Sequence, residues 1–256
     1  MITAGIDIGS ITTKAAVMSE GKIRGTRVIF TGYNAEQAGT KVYEELLREL
    51  GVEKFDVRRV VSTGYGRNSV KFMDKAMTEI ICHGAGAHYL NPRARSVIDI
   101  GGQDSKAIVL DEKGKVKNFA MNDKCAAGTG RFLEVMARAL EVDLDGFGAL
   151  SLRAGDPSRI SSLCTVFAES EVISLISKGE KRENIIAGIH ESIAARIAAM
   201  ANRLRIAPLV VMTGGVAKNI GVVKALERKI GMTVEVTEYA QVNGAIGAAF
   251  LAAGLK

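Results

Sequence analysis

Two cysteines, each a short distance before a predicted helix, are the residues of this chain best suited to chemistry. Cys125 lies in NDKCAAGTGRFLEVMA and Cys164 lies in SSLCTVFAESEVISL. A thiolate at a helix N-terminus lies in a favourable dipole field, which suits a deprotonated, metal-bound sulfur. An iron–sulfur cluster normally takes four such ligands, so two chains on a two-fold axis would complete the set. The cysteines alone leave open the alternative of small buried hydrophobes.

A repeated octapeptide is the second chemical feature. Residues 7–14 (DIGSITTK) and 99–106 (DIGGQDSK) share Asp, Ile, Gly and Lys at matching positions. Each copy ends an apolar strand, turns on glycine and enters a second strand, which predicts one hairpin near the start of each half. A glycine turn lets backbone N–H groups approach a phosphate because no Cβ intervenes. Two ordinary β-turns are the alternative, and the repetition of the pattern favours phosphate binding.

The hairpin side chains extend this prediction. Hydroxyl groups and lysines would add donors and positive charge to the backbone N–H groups, and Asp7 and Asp99 stand at matching points where two carboxylates can hold Mg²⁺ through water. The predicted nucleotide contacts in the two hairpins are Asp7, Gly9, Ser10, Thr12, Thr13, Lys14, Asp99, Gly101, Gly102 and Gln103, with Lys106 as the second lysine.

A third glycine element, residues 211–219 (VMTGGVAKN), follows a predicted strand and opens a predicted helix. The pair Gly214 and Gly215 would let a flat adenosine lie against the backbone, with Lys218 nearby. The chain contains no GxxxxGK[ST] loop. Gly128 and Gly130 have no strand directly ahead of them, which argues against a dinucleotide site.

Composition limits the remaining possibilities. The chain has 256 residues, of which 47% are hydrophobic and 24% charged, an ordinary globular balance. The net charge of +6 is scattered, which favours an anionic ligand over nucleic acid. With three cysteines, no secretory leader and no long apolar run, we expect a protein of the reducing cytoplasm that does not enter a membrane.

The periodicity of apolar residues predicts strands alternating with helices, an α/β architecture. Asn34 would cap a helix that ends at Gly51, an apolar stripe predicts a long helix over 185–204, LVVM predicts a strand over 209–212, and a Gly/Ala-rich helix is expected over 242–253. The repeat divides the chain near Arg95 into lobes 1–95 and 96–256, with the final helix able to pack back on the first lobe.

A hairpin in each lobe, with a strand–GG–helix element in the second, resembles the acetate kinase, sugar kinase, Hsp70 and actin superfamily. The resemblance implies a two-lobed actin-like ATPase fold with ribonuclease H-like duplicated lobes and mixed sheets flanked by helices. The two cysteine motifs, TGYGRNS (63–69) and GGVAKN resemble one branch, the ATPase components that activate 2-hydroxyacyl-CoA dehydratases, together with the related benzoyl-CoA reductase ATPase subunits.

The resemblance further implies a homodimer holding one [4Fe–4S] cluster through Cys125 and Cys164 of each subunit. It implies a ferredoxin or flavodoxin as reductant, ATP binding that closes the lobes, transfer of one electron to the dehydratase, and hydrolysis that resets the dimer. Gln103 or Asp104 are the candidates for positioning the attacking water, with turn formation as their alternative role.

Other residues have structural or open roles. Cys82, next to His83, is expected to pack inside a glycine-rich helix or turn, and His190 is expected at the edge of the core. Glu169 and Glu171 are assigned to the first turn after Cys164 without a chemical role, while Tyr65 and Arg67 are left undecided.

Three rival functions remain at this stage: a small-molecule kinase on the same scaffold, a nucleotide-gated sensor, and an ATPase subunit serving an aromatic acyl-CoA reductase. Bound iron would argue against the first two. The 256-residue length also leaves little room for the insertions that a kinase substrate pocket usually needs.

Overall fold

Strands and helices alternate along the chain, as the periodicity predicts. The computed structural model describes residues 1–161 and 164–255, so Ser162 and Leu163 of the Cys164 motif lie outside the described residues. The elements of the first part are β1 (Ile2–Ile8), β2 (Thr12–Ser19), β3 (Lys22–Phe30), α1 (Ala35–Leu50), β4 (Val57–Thr63), β5 (Lys75–Ala76) and α2 (Glu79–Leu90). Those that follow are β6 (Ser96–Ile100), β7 (Ser105–Leu110), β8 (Val116–Asn122), α3 (Gly130–Ala139), α4 (Leu144–Ser151), α5 (Thr165–Ser177), α6 (Arg182–Leu204), β9 (Val210–Thr213), α7 (Ile220–Ile230), β10 (Val234–Glu235) and α8 (Asn243–Ala252).

The two sheets repeat one strand order. The first sheet runs β3-β2-β1-β4-β5 and the second runs β8-β7-β6-β9-β10, so each strand has a counterpart five strands later. In the first sheet β1 is antiparallel to β2 and parallel to β4, and in the second β10 is parallel to β9. The expected α/β fold with duplicated mixed sheets flanked by helices is therefore confirmed.

The described chain divides into two compact units. The first comprises Met1–Val97, Val109–Asn118 and Glu238–Lys256, and the second comprises Ile98–Ile108 and Phe119–Thr237. Helix α8 thus belongs to the first unit, where it packs on β1, β4 and α2. The second unit contains the second hairpin, both predicted cluster cysteines and the predicted adenosine element.

Both faces of the first sheet are covered by helices. The apolar side of α1, with Val42 and Leu46, packs into one core with Ile6 and Ile8 of β1. On the other face α8 approaches so closely that a Cβ on Gly5 would lie 2.0 Å from the carbonyl oxygen of Ala245. Only small residues allow this separation, which explains the Gly/Ala-rich composition of the last helix.

Local signals in the sequence set the helix ends. The Asn34 side chain accepts a hydrogen bond of 3.0 Å from the N–H of Gln37, and Gly51 ends α1 with φ of +63°. The long helix predicted over 185–204 is α6, which begins at Arg182. Among the described residues, no helix combines the length and the apolar composition needed to span a membrane.

The third glycine element differs in one respect from its prediction. Gly215–Lys218 form a short 3₁₀ turn, and α7 begins only at Ile220. Asn219 separates the two, because its side-chain oxygen accepts from the N–H of Val222 at 3.1 Å and caps the helix. The glycine pair therefore precedes a capping junction rather than opening the α-helix directly.

Candidate functional site

The first repeated octapeptide folds as the predicted hairpin. The N–H of Gly9 donates to the carbonyl oxygen of Thr12 at 3.1 Å, which closes a turn of two residues, Ser10 and Ile11. At the base of the hairpin Lys14 lies opposite Asp7, with 3.2 Å between the Nζ and Oδ2 atoms. The hydroxyl of Thr13 is buried and pairs with that of Thr31 at 2.8 Å.

The second octapeptide repeats this geometry. The N–H of Gly101 donates to the carbonyl oxygen of Asp104 at 2.9 Å and closes the turn formed by Gly102 and Gln103. The Lys106 Nζ lies 3.1 Å from Asp99 Oδ2, matching the pair in the first hairpin. The two octapeptides therefore share both their sequence pattern and their structure: each has the same backbone hydrogen bond across the turn and the same Lys–Asp ion pair.

The second hairpin also carries a carboxylate that the first lacks. Asp104 is 5% exposed, and its Oδ1 lies 2.8 Å from Lys106 Nζ. Its Oδ2 has no hydrogen-bond partner among the described residues. Gln103 is exposed at the turn itself, whereas Asp104 is buried just after it. The two candidates for orienting water therefore occupy different environments, and the turn's tip is Gln103 rather than Asp104.

A further repeat, which sequence reasoning missed, supports each hairpin. The chain reads VVSTG at 60–64 and VVMTG at 210–214. Gly64 and Gly214 have φ of +85° and +88°, and a Cβ on them would lie 2.5 Å from Ile8 O and 2.3 Å from Ile100 O respectively. The signal was present as a second internal match of five residues, of which four are identical.

The second copy of this repeat joins the adenosine element to the second hairpin. The Thr213 hydroxyl donates to Asp99 Oδ1 at 2.7 Å. Because Lys106 contacts the other carboxylate oxygen, Asp99 links the hairpin with the strand that leads into Gly214 and Gly215. Within the second unit, therefore, the predicted phosphate and adenosine residues are adjacent. Lys218 is exposed at the end of the 3₁₀ turn.

The two predicted cluster cysteines precede different helices in different ways. Cys164 is exposed and is the N-cap residue of α5. Cys125 is half-buried on a turn, and α3 begins only at Gly130, so the dipole argument applies to Cys164 alone. Asn122 holds the Cys125 backbone, donating to its carbonyl oxygen at 2.9 Å and accepting from its N–H at 3.3 Å. Helices α3 and α5 contact each other.

Two backbone hydrogen bonds connect the second hairpin to the segment that contains Cys125. The N–H of Gly130 donates to Gly101 O, and the N–H of Arg131 donates to Gly102 O, both at 2.8 Å. The first N–H groups of a helix have no partner inside it, so the hairpin satisfies donors of α3.

Apolar side chains are exposed on α5. Val166, Phe167 and Ile173 are 65%, 67% and 55% exposed, although Ala168 and Val172 on the same helix are buried. Glu169 and Glu171 lie beyond the first turn of α5, which corrects their predicted position. Glu171 accepts hydrogen bonds from the Ser161 N–H and hydroxyl at 3.0 to 3.1 Å, a structural role.

The remaining candidates are mostly structural. Cys82 is fully buried in α2, as predicted, and burial raises the pKa of its thiol to about 12. The prediction for His190 is wrong, because the ring is 1% exposed beneath α4 and α7. Tyr65 is exposed, while Arg67 donates to the Gly64 carbonyl at 3.2 Å.

Within residues 1–161 and 164–255, no group of three His, Cys, Asp or Glu side chains is arranged to hold a metal ion.

Duplicated mixed sheets with a glycine hairpin in each define the class of actin-like ATPase folds. A ROK family glucokinase from Streptomyces griseus, at 15% identity, shares this fold with a TM-score of 0.60 over 100% of both chains. The chain belongs to the BadF/BadG/BcrA/BcrD ATPase family, whose model matches residues 4–252.

Close relatives cover nearly the whole chain. The activator of lactoyl-CoA dehydratase from Anaerotignum propionicum is 49% identical over 98% of this chain and 97% of its own length. A benzoyl-CoA reductase subunit from Thauera aromatica is 37% identical over 97% and 92%. Relatives therefore include dehydratase activators and a component of a reductase.

Two solved structures are also close. Component A of the (R)-2-hydroxyglutaryl-CoA dehydratase of Acidaminococcus fermentans has a TM-score of 0.95 and 46% identity, covering 98% of this chain and 97% of that one. The activator of the 2-hydroxyisocaproyl-CoA dehydratase from Clostridium difficile, with bound ADPNP, has a TM-score of 0.93 and 45% identity, covering 98% and 94%. The second relative binds an ATP analogue.

Proposed function

We propose that this protein is an ATP-dependent activator of a 2-hydroxyacyl-CoA dehydratase that donates one electron from a [4Fe–4S] cluster shared by two copies of the chain. One observation carries the proposal: the helix that follows Cys125 begins on the carbonyl oxygens of Gly101 and Gly102 in the second hairpin. A hairpin that moves when nucleotide binds would therefore move the start of α3 with it. The 45–49% identity to dehydratase activators over almost the whole chain supports the partner.

The nucleotide role is assigned to three backbone elements. In the hairpins, backbone N–H groups, hydroxyls and Lys14 would donate hydrogen bonds to the phosphates. Gly214, Gly215 and Lys218 would contact the adenosine. Asp7 and Asp99 would hold Mg²⁺ through water. Their chemistry fits that role, because a carboxylate has about four lone-pair sites, and the lysine contacts, together with the Thr213 contact at Asp99, occupy only part of them.

Water activation is assigned to the second hairpin alone. Gln103 is exposed at the turn, and Asp104 retains one unpartnered carboxylate oxygen among the described residues. Lys106, 1% exposed, contacts both Asp99 and Asp104 and holds the two carboxylates in place. Hydrolysis then needs only a water placed in line with the terminal phosphate.

The cysteines fit the proposed cluster. Both thiols are free, Cys164 is exposed on a helix N-cap, and Asn122 fixes the backbone of Cys125. Each chain supplies two thiolates, so a second copy must supply two more. When bound, such a cluster supplies one-electron redox chemistry at low potential, with a ferredoxin or flavodoxin as its reductant in the cytoplasm.

The first test is the iron and acid-labile sulfide content of anaerobically purified protein, measured together with its native mass. About two of each per chain, in a dimer, is the expected result for one four-iron cluster shared by two chains. Cys125→Ser and Cys164→Ser should each lose the iron while ATP binding persists. Cys82→Ala is the matched control and should retain it, because that thiol is buried in α2. Iron-free wild-type protein that still hydrolyses ATP would overturn the electron-transfer proposal.

A second candidate is the same chemistry serving an aromatic acyl-CoA reductase, which the 37% identity to the benzoyl-CoA reductase component of Thauera aromatica supports. The two functions differ only in the electron acceptor. Reduced protein with ATP should activate a 2-hydroxyacyl-CoA dehydratase lacking its own activator. Activation of an aromatic acyl-CoA reductase instead would favour the second candidate.

A further inference from the structure

A buried histidine lies behind the adenosine element and has no role in the proposed function. His190 of α6 is 1% exposed, and its ring packs edge-on against Phe147 of α4 with 5.4 Å between ring centroids. The Nε2 atom lies 3.3 Å from the side-chain Nδ2 of Asn219. Asn219 directly follows the 3₁₀ turn of the adenosine element, so a ring from another helix reaches the end of this turn.

The orientation of the Asn219 amide determines which ring nitrogen is protonated. Its Oδ1 accepts the hydrogen bond from Val222 N–H that caps α7, so its NH₂ group faces His190. An amide NH₂ group only donates, and therefore Nε2 of His190 must accept and carry no proton. This contact assigns the ring the tautomer with its proton on Nδ1, a buried atom that has no hydrogen-bond partner among the described residues. Burial keeps the ring neutral in either tautomer, because it lowers the pKa of His190 to about 3.

Asn219 joins the adenosine element to the rest of the second unit. Its N–H donates to Val216 O at 2.9 Å and ends the 3₁₀ turn, while its carbonyl accepts from Val223 N–H at 3.1 Å in α7. Its side chain adds the cap and the contact with His190. A shift of Asn219 would therefore move the turn over 215–218, which offers the backbone for adenosine.

Two glycines pack directly against the pair. A Cβ on Gly148 would lie 2.7 Å from Asn219 Oδ1, and a Cβ on Gly221 would lie 2.4 Å from His190 Nδ1. Glycines at these positions let α4 and α7 close directly on the amide and the ring. Close packing therefore keeps the ring and the amide in contact, so that a change in the ring's orientation would also change the position of the amide.

We propose that His190 is a positioning residue for nucleotide binding: its neutral ring accepts a hydrogen bond from Asn219 and holds the adenosine element in its binding conformation. This inference rests on the proposed function and deepens it. Because adenosine is held equally before and during phosphoryl transfer, the contact contributes to affinity rather than to the chemical step.

The binding test compares ADP affinity and ATPase kinetics in four proteins. His190→Leu removes the acceptor and should raise the Kd for ADP and the KM for ATP about five-fold, with kcat unchanged. His190→Gln restores an acceptor and should recover most of this loss. A Cβ on Gly221 would lie close to both Ser151 Oγ and His190 Nδ1, so Ser151→Ala changes the surroundings of the ring without altering Asn219. This variant is the matched control and should bind as wild type. The proposal would be overturned if His190→Leu and His190→Gln weakened ADP binding equally, or if neither variant weakened it.

The tautomer is measured separately, in the folded protein with no nucleotide. Nitrogen-15 NMR, assigned with His190→Gln, should show a protonated Nδ1 and an unprotonated Nε2 between pH 6 and 8. In Asn219→Asp the cap is kept but the donor is lost, so the proton should move to Nε2. A proton on Nε2 in the wild type would refute the inference. Wild-type protein that binds no ADP would instead refute the proposed function, which keeps the two failures distinct.

Discussion

Gly64 and Gly214 occupy equivalent points of the repeated units, and neither position accepts a side chain. Both have left-handed φ, and a Cβ on either would overlap a carbonyl oxygen of the neighbouring strand. Left-handed backbone alone costs a residue with Cβ about 1–2 kcal/mol. We expect Gly214→Ala to lower the free energy of unfolding by more than about 3 kcal/mol, since a backbone overlap adds to that cost.

Gly21→Ala is the matched control for this prediction. Gly21 also has left-handed φ, at +72°, but nothing lies within 4 Å of its Cβ position. In denaturant unfolding, Gly21→Ala should therefore lower the free energy of unfolding by about 1–2 kcal/mol, and Gly214→Ala should lower it by a clearly larger amount. Equal losses would show that the strand carbonyl at Ile100 moves aside without cost.

The buried ring of His190 predicts a pH dependence of stability. Its pKa is about 3 when folded against an ordinary value of 6.5, so the unfolded chain binds more protons between these limits. The free energy of unfolding must then fall as the pH drops below 6.5, by up to about 1.4 kcal/mol per pH unit. Glu191 on the same helix and Arg228 of α7 are the charges that act on the ring, and they oppose each other.

Denaturant unfolding at pH 7 and pH 5 checks this expectation. From pH 7 to pH 5, the free energy of unfolding should fall by about 2 kcal/mol less in His190→Leu than in the wild type. The reason is that the variant lacks the group that takes up a proton on unfolding. Ser151→Ala, which removes a neighbouring group that does not titrate, should retain the wild-type slope. If the free energy of unfolding changed equally with pH in the wild type and in His190→Leu, the ring would titrate normally in the folded state.

Residue chemistry was the part of the site that the sequence predicted best. Glycine, lysine and aspartate recur at fixed spacing, and the structure places both sets in matching hairpins. The burial of His190 was missed because it follows the apolar stripe of α6 by a single residue, where helical periodicity marks the edge of the buried face. Its contacts come from α4 and α7, which are distant in sequence and leave no local signal.

At the scale of elements, the junction between the second hairpin and α3 is the most consequential. Gly130 begins α3, and a Cβ there would lie 3.1 Å from Gly101 O and 3.4 Å from the Cα of Gly102. Gly130→Ala must therefore push α3 away from the hairpin by a few tenths of an ångström. Under the proposed function, we expect this variant to bind iron and nucleotide as the wild type does. Its ATP-dependent electron transfer should fall at least about tenfold, because coupling between packed elements depends on their exact geometry.

Gly146→Ala provides the comparison for Gly130→Ala. Gly146 lies in α4, and nothing is within 4 Å of its Cβ position, so alanine there should raise helix stability by about 1 kcal/mol without affecting function. The measurement is electron transfer to the dehydratase per ATP hydrolysed. Full transfer by Gly130→Ala would show that the proposed coupling does not run through the contact between the second hairpin and the start of α3.

Element boundaries followed the sequence where capping residues were local. Asn34 and Gly51 bracket α1 as predicted, since both act within a turn of the helix that they end. The start of α3 could not be predicted in the same way. Its first N–H groups are satisfied by carbonyls of a hairpin almost thirty residues earlier, and no capping side chain marks the position.

At the scale of the whole molecule, internal repetition was the most informative signal in the sequence. Two copies of an eight-residue pattern predicted two related sheets, and the strand orders confirm that duplication. Association between copies is harder to predict from one chain. Helix α5 has apolar residues on more than one side, and sequence periodicity does not separate the side buried within the chain from the side left exposed.

The exposed side of α5 predicts where the two copies of the proposed dimer would meet. Soluble monomers rarely expose several large apolar side chains together, and those of α5 directly follow Cys164. Phe167→Glu would place a charge in that surface and should give a monomer of about 27 kDa that lacks iron, since the proposed shared cluster would need both copies. Light scattering and iron analysis under anaerobic conditions measure both quantities.

Phe55→Glu tests whether any exposed aromatic residue would give the same result. Phe55 is 85% exposed, more than the 67% of Phe167, but it lies in the first unit, away from the cysteine segments in sequence. Its variant should remain an iron-containing dimer. If Phe167→Glu also stays dimeric with full iron, α5 is not the dimer surface, and the thiolates of the two copies must meet through α3 and the Cys125 turn. If both variants lose iron as dimers, the charge acts on cluster assembly rather than on association.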